Sequence, residues 1–315
     1  AALGNVRVLD LTDETGDYCT RLLAAMGADV IRVERPGGYR TRQIAPFWGD
    51  DPDPEKGLHW LHYNINKRSI TLGIETEDGA ALFRKLVAKS DVVVECFRPG
   101  YMDSIGIGYR DLRGIEPGIV LTSITPFGQS GPYKNFRGSH RVCAALAGIT
   151  SITGEEGKPP VTPAVPMYYI MAGAAGAFAS LIALRHRRRS GKGQHVDISV
   201  QESIMPDLMM GFLTWHSHQR VLQRDATFPY IPGFYRERRL FECAGGWVAM
   251  FPTYWPGRAA LRDWLAEERL AGDLFNPKWA PVFLEGATWP DELRYHFYGL
   301  VEQFALRFTK VELSQ

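Results

Sequence analysis

Short apolar runs alternate with amphipathic stretches over the first two thirds of the chain. Residues 6–11, VRVLDL, are a compact apolar run with Asp10 near its end, which predicts a strand. Residues 18–26 carry Leu22, Leu23 and Met26 on one helical face, and Gly27 follows as a residue free to close the helix at positive φ. The pattern VIRVE within residues 29–34 predicts a second buried strand. Strand, helix and strand within about 30 residues make a βαβ unit, hence a parallel sheet with a covering helix.

The alternation continues. Residues 69–72 are strand-like, and residues 76–89 form an amphipathic helix with Leu82, Leu86 and Val87 on its apolar side. Residues 91–95 are almost wholly apolar, as suits a sheet covered on both faces. A turn at 98–100, a helix near 109–115 and a strand at 119–124 follow. Residues 170–186 read as a long helix rich in Ala and Gly, which implies close packing. A basic cluster at 185–189 and two glycines lead into a strand at 195–200, and residues 203–219 read as a connecting helix. From residue 225 aromatics and prolines become frequent, and Gly245 with Gly246 predicts a turn before a strand at 247–251.

The expectation is an α/β protein: a doubly wound parallel-sheet domain over 1–200, a helical linker over 201–224 and a smaller α/β domain over 225–315. Residues 301–313 read as helix, turn and helix start, and the pattern stops unfinished at Gln315. Both a short protein and one without its natural C-terminus match that ending.

Composition narrows the function classes. With 36 Lys and Arg against 35 Asp and Glu, the formal charge of +1 gives no support for nucleic-acid binding, although a local basic patch for an anion remains compatible. The four cysteines, at 19, 96, 143 and 243, fit neither a disulfide framework nor a metal-ligand spacing, so no metal is expected and a reducing compartment is. The opening lacks a signal-peptide pattern, and the best apolar run, 168–184, is broken by small residues and followed by basic ones. It reads as a core helix, so no membrane is expected and the protein is placed in the cytoplasm.

Polar segments at strand ends are where a doubly wound sheet binds ligands. Arg35, Arg40 and Arg42 accompany Gly37 and Gly38 directly after the second strand. They suit a phosphate-rich ligand, and equally a solvated basic loop. Asn66, Lys67 and Arg68 precede the third strand, again with cations that could meet phosphates. Cys96, Phe97 and Arg98 follow the fourth; Phe97 either stacks on a base or fills the sheet edge. No GxGxxG follows the first strand and no GxxxxGK[ST] occurs, which weighs against nicotinamide, flavin and triphosphate enzymes. The loop FGQSGPY at 127–133 carries glycines that admit close approach of a ligand or chain, and His140 lies shortly after it.

Taken together, VRVLDLT (6–12), AAMGADVIRVERPGG (24–38), NINKRSITL (64–72), DVVVECFRPGYMDSIGIGY (91–109), ITPFGQSGPY (124–133), TGEEGKPPV (153–161) and RRRSGKGQHVDISVQE (187–202) resemble the class III CoA-transferases, the carnitine and bile-acid CoA-transferase type. The resemblance implies a Rossmann-like large domain joined to a small one, two chains interlocked as a dimer, and a C-terminal return segment that this sequence lacks. It implies a CoA thioester as substrate with no prosthetic group. CoA would touch Thr15, Gly16, Asp17, Tyr18, Arg35, Arg40, Arg42, Asn66, Lys67, Arg68, Leu72, Glu75, Cys96, Phe97, Arg98, Ser104 and Ile105.

In the family an aspartate opens the small-residue helix and is acylated as a nucleophile; here Tyr169 stands at that position. A phenol of ordinary pKa about 10 cannot reproduce carboxylate anhydride chemistry. The related racemases add a histidine, whose place Ser139 takes, with His140 one residue later. The chain most resembles the aspartate-less subunit of a heteromeric benzylsuccinate CoA-transferase of anaerobic aromatic degradation. That implies a homologous aspartate-bearing partner chain, succinyl-CoA as donor and an aromatic or dicarboxylic acid as acceptor. The aromatics Trp215, Phe228, Tyr230, Phe234 and Tyr235 suit either a phenyl-accepting surface or a small-domain core. Two other readings stand beside it: a homodimeric acyl-CoA racemase or other CoA-ester enzyme using His140 or Tyr169, and a non-catalytic CoA-thioester-binding scaffold.

Overall fold

The computed structural model describes residues 1–155, 157–224, 239–252, 255–283 and 290–314. Phe228, Tyr230, Phe234 and Tyr235 lie outside them. The chain forms two compact units, one of residues 1–149 and 162–209 and the other of residues 150–161 and 210–315.

The first unit is built on β1 (Arg7–Leu11), β2 (Asp29–Glu34), β3 (Lys67–Thr71), β4 (Val92–Glu95), β5 (Val120–Thr125) and β6 (His195–Ser199). All pair in parallel, in the order β3-β2-β1-β4-β5-β6. The order reverses between β1 and β4, and the strand ends at such a switch open onto a crevice. Its helices are α1 (Asp17–Ala25), α2 (Leu58–Tyr63), α3 (Glu77–Val87), α4 (Tyr101–Ser104), α5 (Tyr109–Ile115), α6 (His140–Ala147), α7 (Met167–Ser190) and α8 (Val200–Ile204).

The central strands are buried on both faces, which explains their unbroken apolar runs. Val8, Val30, Val92, Val94, Val120 and Ile124 share one core with residues of α1, α6 and α7. Leu9, Leu11, Ile31, Val33, Val93 and Leu121 share the other with Phe83, Val87, Met102, Ile107 and Leu112.

Helix α3 turns its apolar side differently from the expectation. It buries Gly79, Ala80, Phe83 and Val87, while Leu82 is 51% exposed. Close approach decides this: a Cβ on Gly79 would lie 1.8 Å from the Gly73 carbonyl oxygen.

Helix α7 is longer than expected. By length and composition it could cross a bilayer, although its sequence reads as a core helix. Half of its most apolar 18-residue window is buried inside the protein. Gly173 and Gly176 let it sit on α1 and β5: a Cβ on Gly173 would lie 2.9 Å from the Cys19 amide nitrogen, and one on Gly176 the same distance from Ile124 Cδ1. The helix expected over 203–219 is divided into α8, a 3₁₀ turn at Met205–Leu208 and α9 (Met209–His218). Pro206, which has no N–H to donate, sits at the division.

The second unit contains most of α9, the antiparallel pair β7 (Leu240–Cys243) and β8 (Gly246–Ala249), α10 (Trp255–Glu267), α11 (Asp291–Ala305) and α12 (Lys310–Ser314). Gly245, at φ +82°, makes the hairpin turn. Phe241, Leu265, Leu274, Trp279, Phe297, Val301 and Phe304 form its core.

Candidate functional site

Beneath the sheet's carboxyl edge lies a buried charge network. Asp10 of β1 is in register with Arg32 of β2, and both are fully buried. Asp17, at the start of α1, joins them through an ion pair with Arg32. Lys67 completes the group, its Nζ donating to Asp10 Oδ2 at 2.9 Å, Thr20 Oγ1 at 2.8 Å and Asn64 Oδ1 at 3.0 Å. Burial alone would raise the two aspartates; Arg32 and Lys67, with a hydrogen bond from Thr12 to Asp10 and the His59 ring 3.5 Å from Asp17, hold both below the usual carboxylate range. The Arg32 guanidinium also lies over the rings of Tyr39 at 4.8 Å and Trp60 at 5.4 Å. Through Asp17 this network fixes the start of α1, and with it Thr15, Gly16 and Tyr18.

Above the network is a cleft of about 220 Å³ at the carboxyl ends of β1 and β2. Four of the residues expected to touch CoA line it together: Arg35, Leu72, Glu75 and Phe97. Tyr39 and Tyr101 complete the walls. The Phe97 and Tyr101 rings pack at 4.8 Å, and Tyr101 donates to Glu75 Oε1 at 3.2 Å. Arg35 is exposed, its Nε donating to the Gly38 carbonyl at 3.3 Å. The cleft therefore offers apolar and aromatic walls, one accessible guanidinium and one carboxylate. Close by, Gly16 meets Cys96 so tightly that a Cβ there would lie 2.5 Å from the Cys96 Sγ.

Other expected contacts sit elsewhere. Arg42 forms a two-pronged pair with Glu34, at 2.7 and 2.8 Å, stacks 3.8 Å over Trp60 and also reaches Glu55. The Lys67 side chain is 1% exposed. In the sequence Arg42 suits a phosphate or a solvated basic loop and Lys67 is a cation that could meet phosphate; the structure pairs both with carboxylates of the protein. Asn66, at φ +64°, directly precedes β3, and Arg68 near its start lies about 13 Å along the strand from Leu72. Arg68 pairs with Asp29. Arg40 and Ser104 are exposed, Ser104 Oγ donating to the Tyr101 carbonyl at 2.7 Å. Ile105 packs against the core on the α3 and α5 side. Arg98 faces a different cavity.

Tyr169 lies in the first turn of α7, 6% exposed. The His140 ring, at the start of α6, stands 5.5 Å from its ring at 65° and 6.3 Å from that of Tyr168. Burial, then the charges of Glu14 and Asp13, push the Tyr169 hydroxyl up to about 12. Burial, with Arg141 adding to it, lowers His140. At neutral pH this pair is therefore a protonated phenol beside a neutral imidazole, so the phenol can donate a hydrogen bond but does not supply an anionic nucleophile.

Sequence reasoning missed Arg32 and the pairing of Ser123 with His195. For Arg32 a signal existed: charged residues at matching places in two adjacent, otherwise apolar strands. Asp197 accepts the Gln129 backbone N–H at 2.9 and 3.0 Å.

The model of CoA-transferase family III matches residues 3–278. The chain belongs to CoA-transferase family III. Among relatives in this family, it is 36% identical over 252 residues to subunit BbsE of the succinyl-CoA:(R)-benzylsuccinate CoA-transferase of Thauera aromatica, covering 78% of this chain and 58% of that protein. It is 38% identical over 205 residues to the succinyl-CoA–D-citramalate CoA-transferase of Chloroflexus aurantiacus, covering 64% of this chain and 50% of the relative. The alpha subunit of the succinyl-CoA–L-malate CoA-transferase of Chloroflexus aurantiacus is 33% identical over 294 residues, with 90% of this chain and 64% of the relative covered. The chain thus spans 50–64% of the length of these curated relatives. A crystal structure of a CaiB/BaiF family protein from Brucella suis superposes with a TM-score of 0.80 at 27% identity, covering 98% of this chain and 79% of that one.

Proposed function

We propose that this chain is the non-nucleophilic subunit of a family III CoA-transferase that moves CoA between succinyl-CoA and an aromatic or dicarboxylic acid such as benzylsuccinate. A homologous chain carrying the aspartate is its partner in the cytoplasm, interlocked with it. The observation that carries this reading is the state of Tyr169: a buried phenol, raised to about 12, at the position the family gives to a carboxylate.

The reaction requires a carboxylate oxygen to attack the thioester carbonyl and expel the CoA thiolate, forming an anhydride that the thiolate reopens. This chain's contribution is then to hold a thioester. Leu72, Phe97 and Tyr101 offer apolar surface, and Arg35 offers a cation to phosphate. The relatives named for succinyl-CoA, two of them as subunits, support both the donor and the two-chain assembly.

The contact between His140 and Tyr169 favours a second reading, acid–base chemistry on an acyl-CoA in a homodimer. Its weakness is the phenol, which is raised rather than lowered and therefore makes a poor base.

The test is reconstitution. The chain is purified alone and with an aspartate-bearing homologue, and CoA exchange from succinyl-CoA to benzylsuccinate is followed by chromatography. The expected result is background exchange by the chain alone and turnover by the co-purified pair. Full turnover by the chain alone would overturn the proposal, and CoA binding without exchange in either preparation would favour a scaffold.

A further inference from the structure

The turn after β4 divides two cavities. Phe97 and Tyr101 face the cleft described above, whereas Glu95, Arg98 and Gly100 face a second cavity of about 170 Å³. Its floor is polar and firmly built. Glu95 is 4% exposed, and its Oε2 accepts the Phe97 N–H at 2.6 Å. Ser123 is 1% exposed, and its Oγ lies 2.9 Å from His195 Nε2. The Tyr109 ring stacks on His195 at 5.5 Å.

The walls carry donors without an acceptor among the described residues. The side chains of Arg98 and Arg110 have no hydrogen-bond or ion-pair partner among the described residues, although both line the cavity. Gln129 lines it too, and its Nε2 is buried without an acceptor. A buried donor left without a partner costs free energy that an acceptor inside the cavity would recover. Asp103 is the other carboxylate in the lining.

We propose that this cavity binds the carboxylate of a small organic acid, with Arg98 and Arg110 meeting its charge and the Gln129 amide donating to it. The volume is close to that of an engineered cavity of about 150 Å³ known to take benzene, so it admits an acid of a few carbons. Phosphate groups at the nucleotide end of a bound CoA offer the same oxyanion chemistry, and the test separates the two sources. The inference stands whether or not this chain carries a nucleophile, because it uses neither Tyr169 nor His140.

Glu95 gives the site a pH signature. Burial first, and the charges of Asp13 and Asp103 to a smaller degree, push its carboxyl up to about 7; hydrogen bonds from Ser123 and the Phe97 backbone oppose this. Asp103, Tyr109, the two arginines and His195, which Asp197 also faces, are the other charged or titratable groups around it. Below neutrality Glu95 is uncharged and tolerates an anion; above it a second negative charge enters the cavity.

The experiment is calorimetric titration of the full chain with succinate as probe, at about pH 6 and about pH 8. Expected are saturable binding at the lower pH, roughly tenfold weaker binding at the higher, and at least about tenfold loss in Arg110→Ala. Glu95→Gln keeps its affinity at both. Arg110 is exposed, so its variant folds, and circular dichroism checks that. The proposal falls if succinate shows no saturable binding at tens of millimolar, or if Arg110→Ala binds it unchanged. It falls equally if 3′,5′-ADP rather than succinate shows the Arg110 dependence, which would assign the cavity to the nucleotide end of CoA.

Discussion

Arg32 Nη1 stands 3.1 Å from both carboxylate oxygens of Asp10, across two adjacent parallel strands and out of reach of solvent. Neither charge can be left alone there, because an isolated buried ion pays the full loss of hydration. The network fixes the start of α1 and borders the cleft through Tyr39, so its integrity is a condition of the candidate site as well as of the fold.

Arg32→Met should therefore destabilise the protein by about 3–5 kcal/mol, since it strands Asp10 and Asp17 with only Lys67 to balance them. Urea denaturation measures this. Arg68→Ala, which removes an exposed pair with Asp29, should cost less than about 1 kcal/mol in the same assay. Because Asp10 and Asp17 are held low, their stabilisation is present above the unfolded carboxylate value near pH 4 and is lost as pH falls below it. Stability measured from about pH 5 downward should fall more steeply in the native protein than in Asp10→Asn.

Glu95 has the opposite sign. Its carboxyl rises from the ordinary 4.5 to about 7, so the folded protein holds a proton that the unfolded chain has released. Stability attributable to this group is highest in acid and declines as pH climbs from about 4.5 through 7. Glu95→Gln should accordingly gain about 3 kcal/mol on the native protein between about pH 5 and pH 8. Parallel urea curves at the two values check it, and equal displacement at both would refute the buried-proton account.

Tyr169→Phe should leave transfer by the reconstituted pair within roughly tenfold, because a group lining a pocket loses little with its hydroxyl. A loss of 10²-fold or more is what removal of an essential acid or base brings, and it would make the phenol a participant. Steady-state CoA exchange separates the two.

Gly173→Ala should cost about 1–3 kcal/mol, since its new methyl would meet the Cys19 amide and Tyr18 Cβ at 2.9 Å and force α7 away from α1. The same displacement shifts the segment from Thr15 to Tyr18, so CoA affinity should weaken along with the melting temperature.

The sheet was readable in the sequence wherever both faces of a strand are covered. Residues 29–34 and β2 coincide, because apolar neighbours on each side leave only one place for VIRVE. Helix faces were less readable. In α3 the large residue Leu82 suggested the buried side, but Gly79 and Ala80 set it by permitting contact that no large side chain allows. Helix α6 was missed because its eight residues follow a loop dense in turn formers and offer little periodic signal. In the site, residues following β2 and β4 converge as strand-end logic anticipates, and Arg35 and Phe97 share a cleft. The pairing of Lys67 and Arg42 was not legible for one reason: sequence displays a cation but not the carboxylate already waiting for it.

The short segment from Glu95 to Tyr101 is a party wall. Rings lean on one side of it and a guanidinium on the other, so the same segment lines both chambers. In packed matter a wall pushed outward by one tenant narrows the room of its neighbour. A ligand that displaces this wall from the first chamber would change the grip of the second, and by thermodynamic reciprocity the second would answer in equal measure.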